Sequence, residues 1–185
     1  MEKKNSHFSL YSKNEKIWIE KKILRSIYKT YYLKIKKNIV KGKSLEVGSG
    51  FGEIKKYIDN CITSDQFSGT NIDQVENVYE MTFNDNTFDN IIMIDVFHHL
   101  KYPGSALNEL TRVLKKKGRI IMIEPAMGLI PRIIYSLFHH EPNGFNFEIQ
   151  LFRKSNSILD SNEYFAAQSL PWRFFVLKQF KIIEK

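Results

Sequence analysis

A doubly wound α/β domain is the fold this sequence predicts, on three observations. Five short apolar runs, each closed by Gly, Asp, Asn or Pro, recur between residues 44 and 124. Helical patterns fall between several of them, and the first run leads straight into a turn with glycines at alternate positions. The chain can support such a fold: 185 residues, 43% apolar, 14% aromatic and 26% charged, describe one globular domain with a core that needs no disulfide or metal. The single cysteine, Cys61, excludes a disulfide framework and a Cys-rich zinc site, and fits a reducing compartment. The first residues hold no apolar signal segment, and no window nears the roughly 18 unbroken apolar residues of a membrane span, so a soluble cytoplasmic protein is expected.

In chain order, Asn14 to Lys37 reads as a helix, because Ile17, Leu24, Ile27, Tyr28, Tyr31 and Ile35 recur at helical intervals, with Lys22, Arg25, Lys29 and Lys36 opposite. Gly42 is its stop signal. Strands follow at Ser44–Val47, Cys61–Ser64, Gln74–Val78, Asn90–Ile94 and Arg119–Glu124, with a short helix at Glu53–Ile58 and a clear one at Gly104–Leu114. Asp65–Ile72 is loop-like where a crossover helix is expected. No repeat or Pro-rich linker interrupts the chain. Residues 1–42 are therefore read as an N-terminal helical cap on a single globular unit, 43–185.

Net charge is +8, and residues 1–43 hold 13 Lys/Arg against 3 Asp/Glu, so the remainder is nearly neutral. Only six of the basic residues are Arg, whereas surfaces that grip phosphates or bases draw heavily on the Arg fork. A solvated lysine face is one reading; an anionic acceptor or peripheral contact with an anionic membrane is the other. Nucleic acid is disfavoured.

The stretch Ser44 to Glu53, SLEVGSGFGE, places Gly48, Gly50 and Gly52 between strand and helix. Glycines there let the backbone turn sharply and expose bare amides to a ligand, although tight strand–helix turns also use Gly for packing alone. Glu53 at the sixth position disfavours a dinucleotide pyrophosphate, and no Gly-Lys-Ser/Thr phosphate loop occurs. Glu46 lies two residues before the first glycine, where a buried carboxylate needs a partner such as a ligand ammonium. Asp65 closes the second strand, where an acid accepts from ribose hydroxyls, and Asn77 closes the third, where an amide can read an adenine edge. An amino group, a ribose and an adenine without phosphate match S-adenosylmethionine.

With LEVGSGFGE, ITSD, NDNTFDNIIMIDVFHHL and LNELTRVLKKKGRIIMIEP in order, the sequence resembles the class I S-adenosylmethionine-dependent methyltransferases of small-molecule type, over about Lys43 to Pro125. The resemblance implies a Rossmann-like, mostly parallel sheet. It implies that Glu46, Gly48, Ser49, Gly50 and Gly52 hold the methionine end, that Asp65 takes the ribose, that Asn77 and Val78 flank the adenine, and that Asp95, Val96 and Phe97 line the cofactor wall. Departures are Asn77 for a usual Asp, Met81-Thr82-Phe83 for Leu-Pro-Phe, and Lys116-Lys117-Gly118 for Pro-Gly-Gly. The family's sheet ends in a reversed hairpin, but Phe180–Ile183 offers one short strand, so the C-terminal strands are expected to be incomplete; an uncovered edge would then favour a homodimer.

The resemblance places His98 and His99 near the transferring methyl, as base or orienting donor for the acceptor, with core packing or helix capping as the plain alternative. His139-His140-Glu141, in a helix expected from Leu129, lacks a third ligand at metal spacing, so no metal is expected. Phe145, Phe147, Phe152, Phe165, Trp172, Phe174 and Phe175 read as core, or as the wall of an acceptor pocket. The expected function is methyl transfer to a small-molecule or cell-envelope or glycan-intermediate acceptor. A non-catalytic, cofactor-binding partner subunit is the alternative, and RNA methylation is disfavoured because Asp95-Val96-Phe97-His98 stands where base-amine methylation calls for an Asn/Asp-Pro-Pro-Tyr motif.

Overall fold

The computed structural model describes residues 15–51, 53–125 and 149–153. Strands β1 (Ser44–Val47), β2 (Cys61–Asp65), β3 (Gln74–Val75), β4 (Phe88–Ile94) and β5 (Leu114–Ile123) form one sheet in the order β3-β2-β1-β4-β5. Every pairing is parallel. Central β1 is buried along its whole length, so it shows no polar-outward alternation. The strand order reverses between β1 and β4, and in open α/β sheets the crevice beyond the strand ends at that point is where ligands sit.

Successive residues of β4 serve opposite faces, as the two-residue period of a strand requires. Ile91 and Met93 join Leu45 and Val47 in a core closed by Ala106, Leu110 and Val113 of helix α2 (Pro103–Val113). Ile92 and Ile94 join Ile54, Ile58, and Tyr32 and Ile35 of helix α1 (Lys22–Lys36) in a second core on the other face. Full burial of each large side chain is worth about 1.5–3 kcal/mol.

The crossovers are leaner than the sequence predicts. Between β1 and β2 the expected helix is a single 3₁₀ turn, Ile54–Lys56. The β2–β3 connection holds no helix, in keeping with the loop-like Asp65–Ile72. β3 stops at Val75 rather than Val78, because Asn77 Oδ1 accepts from the Tyr79 amide at 3.0 Å and turns the chain. The loop before β4 is tied to α2: Arg112 donates to the carbonyls of Met81 at 3.0 Å and Phe83 at 2.9 Å, while Glu109 Oε1 accepts from the Met81 amide at 2.7 Å. β5 begins earlier than Arg119, since Leu114 already pairs with Phe88; the register resumes at Arg119 opposite Asn90, and Lys115–Gly118 bulge out with Lys117 at φ 70°.

A helical segment over 15–20 precedes α1, with a break at Lys21. The inward face of α1 differs from the expected stripe. Tyr32 and Ile35 are each 1% exposed, whereas Ile27, expected inward, is 42% exposed. Tyr32 wins because its ring stacks on Tyr57, with centroids 5.2 Å apart, and its hydroxyl accepts from the Glu53 amide at 3.2 Å. Arg25, expected on the outer basic face, turns back to the carbonyls of Trp18, at 2.7 Å, and Ile19. The link to β1 is pinned: the Val40 amide donates to Asn90 Oδ1 at 2.9 Å, Asn90 Nδ2 donates to the Val40 carbonyl at 2.9 Å, and the Lys43 amide donates to Asp89 Oδ2 at 2.8 Å.

Residues 149–153 lie against the first turn of α2, where Ser105 donates its amide to the Leu151 carbonyl at 3.1 Å. Among the described residues no helix is long and apolar enough to cross a membrane. Phe180–Ile183, the helix from Leu129 with His139-His140-Glu141, Gly52, and the C-terminal aromatics other than Phe152 lie outside the described residues; Phe152 is 57% exposed.

Candidate functional site

At the switch point the chain leaves β1 through Gly48 and Gly50, both left-handed at φ 68° and 53°. A Cβ on Gly48 would lie 2.5 Å from Val96 Cγ2, so close approach of the two loops requires glycine there. A Cβ on Gly50 would meet nothing within 4 Å, which means that this backbone faces open space. The turn is held from below: Ser49 donates its amide to the Ser64 carbonyl at 2.9 Å, and Gly50 donates its amide to Asp65 Oδ2 at 3.0 Å. Asp65 Oδ1 accepts from the Phe67 amide at 3.1 Å, so this carboxylate braces both the glycine turn and the exit from β2.

A cavity of about 160 Å³ opens above this turn, lined by Trp18, Tyr28, Glu46, Gly48, Ser49, Gly50, Phe51, Ile94 and Asp95. Glu46 is 2% exposed, and its Oε2 is a buried side-chain oxygen without a hydrogen-bond partner among the described residues. Burial pushes its pKa up to about 8, and the nearby charge of Asp65 adds to the rise. Burial also raises Asp95, and the charge of Glu124 raises it further. Asp95 sits at φ 56° and accepts from the Tyr28 hydroxyl at 3.3 Å. That bond and the Trp18–Tyr28 edge contact, with centroids 5.0 Å apart, bring the N-terminal helices to the cavity wall.

The remaining site candidates are spread around this centre. Val96 covers Gly48, while Phe97 is fully buried and, with Val78, belongs to the core shared with α2. Asn77 spends its side-chain oxygen on the turn after β3. His98 is 7% exposed, and its Nδ1 lies 2.6 Å from Glu124 Oε2. Glu124 Oε1 accepts from the amides of Val96 at 3.0 Å and Phe97 at 2.6 Å, so the carboxylate is fixed by backbone and in turn fixes the imidazole. The His99 ring lies 3.9 Å from that of His98. Glu124, Tyr28 and Trp18 are not site residues in the sequence reading. Glu124 stands in the IMIEP block just after β5, and it reaches His98 only because β5 lies beside β4; the aromatics lie too far along the chain for spacing to reveal them.

A second hollow, of about 320 Å³, lies by the start of β2 between Lys55 and Ile62, away from the glycine turn. Its one nucleophile, Cys61, is pushed up to about 12 by burial and stays a neutral thiol. Among the described residues no group of three His, Cys, Asp or Glu side chains could hold a metal ion.

Residues 45–122, less than half of the chain, match the family model described as a methyltransferase domain. The chain is 38% identical over 88 residues to protein MJ0638 of Methanocaldococcus jannaschii, an alignment that spans 44% of this chain and 39% of that relative. Among solved structures, the PH0226 protein of Pyrococcus horikoshii superposes with a TM-score of 0.54 at 24% identity, covering 63% of this chain and 66% of that one. The BH2331 protein of Bacillus halodurans superposes with a TM-score of 0.50 at 16% identity, covering 80% and 63%. These two likenesses establish the shared fold.

Proposed function

We propose that the chain is an S-adenosylmethionine-dependent methyltransferase that acts on a small-molecule or cell-envelope or glycan-intermediate acceptor. The observation that carries the cofactor assignment is Glu46 Oε2, a buried and unpartnered oxygen on the wall of a cavity floored by two left-handed glycines. Such an oxygen is costly to bury unless a cation meets it, and a ligand ammonium satisfies it. The donor set therefore fits the methionine end. In this reading Glu46 holds the ammonium, the open backbone of the Gly48–Gly50 turn lies against the methionine end, Asp65 takes the ribose, and Asn77 and Val78 flank the adenine. When bound, S-adenosylmethionine supplies a methyl group already activated on a sulfonium.

The chain's own residues then bind, align and exclude water; alignment alone can contribute roughly 7–11 kcal/mol. Trp18 and Tyr28 close the cavity from the side of α1. His98 is the candidate base: Glu124 fixes Nδ1, which leaves Nε2 to accept the proton from an acceptor hydroxyl or ammonium. The test is incubation with isotopically labelled S-adenosylmethionine and a metabolite extract, followed by identification of the labelled product. A labelled small molecule, formed more slowly by His98→Asn with cofactor affinity unchanged, supports the assignment; cofactor binding with no labelled product from any fraction overturns the catalytic half.

A further inference from the structure

We propose that the outward face of α1 is a docking surface for an anionic lipid bilayer. Among the described residues six large apolar side chains are exposed, and four of them lie on this helix and the segment before it: Ile19 at 64%, Ile23 at 72%, Ile27 at 42% and Leu33 at 43%. Ile23 and Ile27, one turn apart, form a ridge on one flank of the exposed face, continued by exposed Lys34, and exposed Lys22, Lys29 and Lys36, two turns apart, form a row on the other flank. Between residues 21 and 45 the sequence holds nine Lys/Arg and no Asp/Glu. An apolar ridge set among lysines is how a helix lies in a headgroup layer, with aliphatic side chains inserted and ammonium groups on lipid phosphates.

Charge complementarity selects the lipid over the other occupants. A second copy would bring two strongly cationic helices together. A nucleic acid would want Arg forks and stacking aromatics, but Arg25 is turned back on backbone carbonyls and the aromatic rings of α1 face the protein. The inward side of the same helix meets the cavity through Tyr28 and Asp95. Docking therefore holds the cavity about one helix diameter, roughly 10 Å, from the bilayer surface, within reach of a lipid-borne acceptor.

Co-sedimentation of the full chain with vesicles of phosphatidylcholine alone, or of equal parts phosphatidylcholine and phosphatidylserine, tests this. Binding is expected only to the anionic vesicles, weakening at high salt. Ile23→Ser with Ile27→Ser should weaken it at least tenfold. Alanine at Lys22, Lys29 and Lys36 together should weaken it about a hundredfold, whereas Lys116→Ala, in the bulge of β5, should change it less than twofold. Circular dichroism melts confirm that these surface variants fold. Absence of binding to anionic vesicles at low salt overturns the proposal, as does binding indifferent to the isoleucine pair. A dimer abolished by that pair without vesicle binding assigns the face to a second copy, and retention of a single-stranded RNA without vesicle binding assigns it to nucleic acid; either overturns the proposal. None of these readouts involves the cofactor, so a failure here leaves the transferase assignment standing.

Discussion

Glu46 decides most of what can be measured at the level of single residues. Its pKa stands near 8 in the folded chain, well above that of an exposed carboxylate, so the folded state binds more protons than the unfolded one between about pH 4.5 and 8. Stability from this group is fully present at low pH and is lost as pH rises through 8, by up to about 1.4 kcal/mol per pH unit. The ligand-free protein should therefore melt at a lower temperature at pH 9 than at pH 6. Glu46→Gln, which carries no charge, should flatten that dependence in a thermal scan. A ligand cation reverses the preference, so saturating S-adenosylhomocysteine should raise the melting temperature more at pH 9 than at pH 6. Glu124 makes a separate prediction. Glu124→Gln keeps an acceptor for the Val96 and Phe97 amides but weakens its hold on His98 Nδ1. In steady-state kinetics with an identified acceptor, kcat should fall about tenfold or more, with the KM for S-adenosylmethionine nearly unchanged.

At the level of elements, the strands were legible and the helices only partly so. β1, β2 and β4 sit where apolar runs end at turn residues, because a buried parallel strand cannot hide its composition, whereas β3 and β5, which hold no buried residue, differ from their expected bounds. The helix expected at Glu53–Ile58 shrinks to one 3₁₀ turn, since Ile54 and Ile58 are its only buried residues and one turn suffices to place them. For α1, hydrophobicity ranks Ile27 above Tyr32, yet a tyrosine that stacks and satisfies its hydroxyl buries more surface than an isoleucine at the rim. The two positions make a sharp pair. Tyr32→Ala should cost about 3–5 kcal/mol in urea unfolding, as large aromatic truncations in a core do, whereas Ile27→Ala should cost under about 0.5 kcal/mol. Equal losses would mean that α1 is seated in a different rotation. The cavity of about 160 Å³ is also smaller than the roughly 300 Å³ at which pockets for drug-sized ligands begin, so Trp18 and Tyr28 are expected to shift outward on binding. Quenching of Trp18 fluorescence on addition of S-adenosylhomocysteine, with Trp172→Phe as background, reports that movement.

For the whole molecule, the sheet order β3-β2-β1-β4-β5 is what brings residues 46, 48–50 and 95 to one cavity, although 49 positions separate the first from the last. That Glu46 and the glycine turn stand at the end of β1 beside Asp65 at the end of β2 was readable, because this placement depends on short-range geometry at strand ends. Glu124 and the Tyr28–Asp95 contact were not, because they exist only once β5 lies beside β4 and α1 folds over the sheet. The central claim is that this crevice binds S-adenosylmethionine through Glu46. Isothermal titration of the wild-type chain and Glu46→Gln with S-adenosylhomocysteine, and of the wild type with NAD, tests it most directly. Binding of S-adenosylhomocysteine is expected, weakened roughly ten- to a hundredfold by the substitution as a charge-assisted hydrogen bond is lost, with no heat from NAD. Binding of NAD without S-adenosylhomocysteine, or equal affinity in the two proteins, would contradict it.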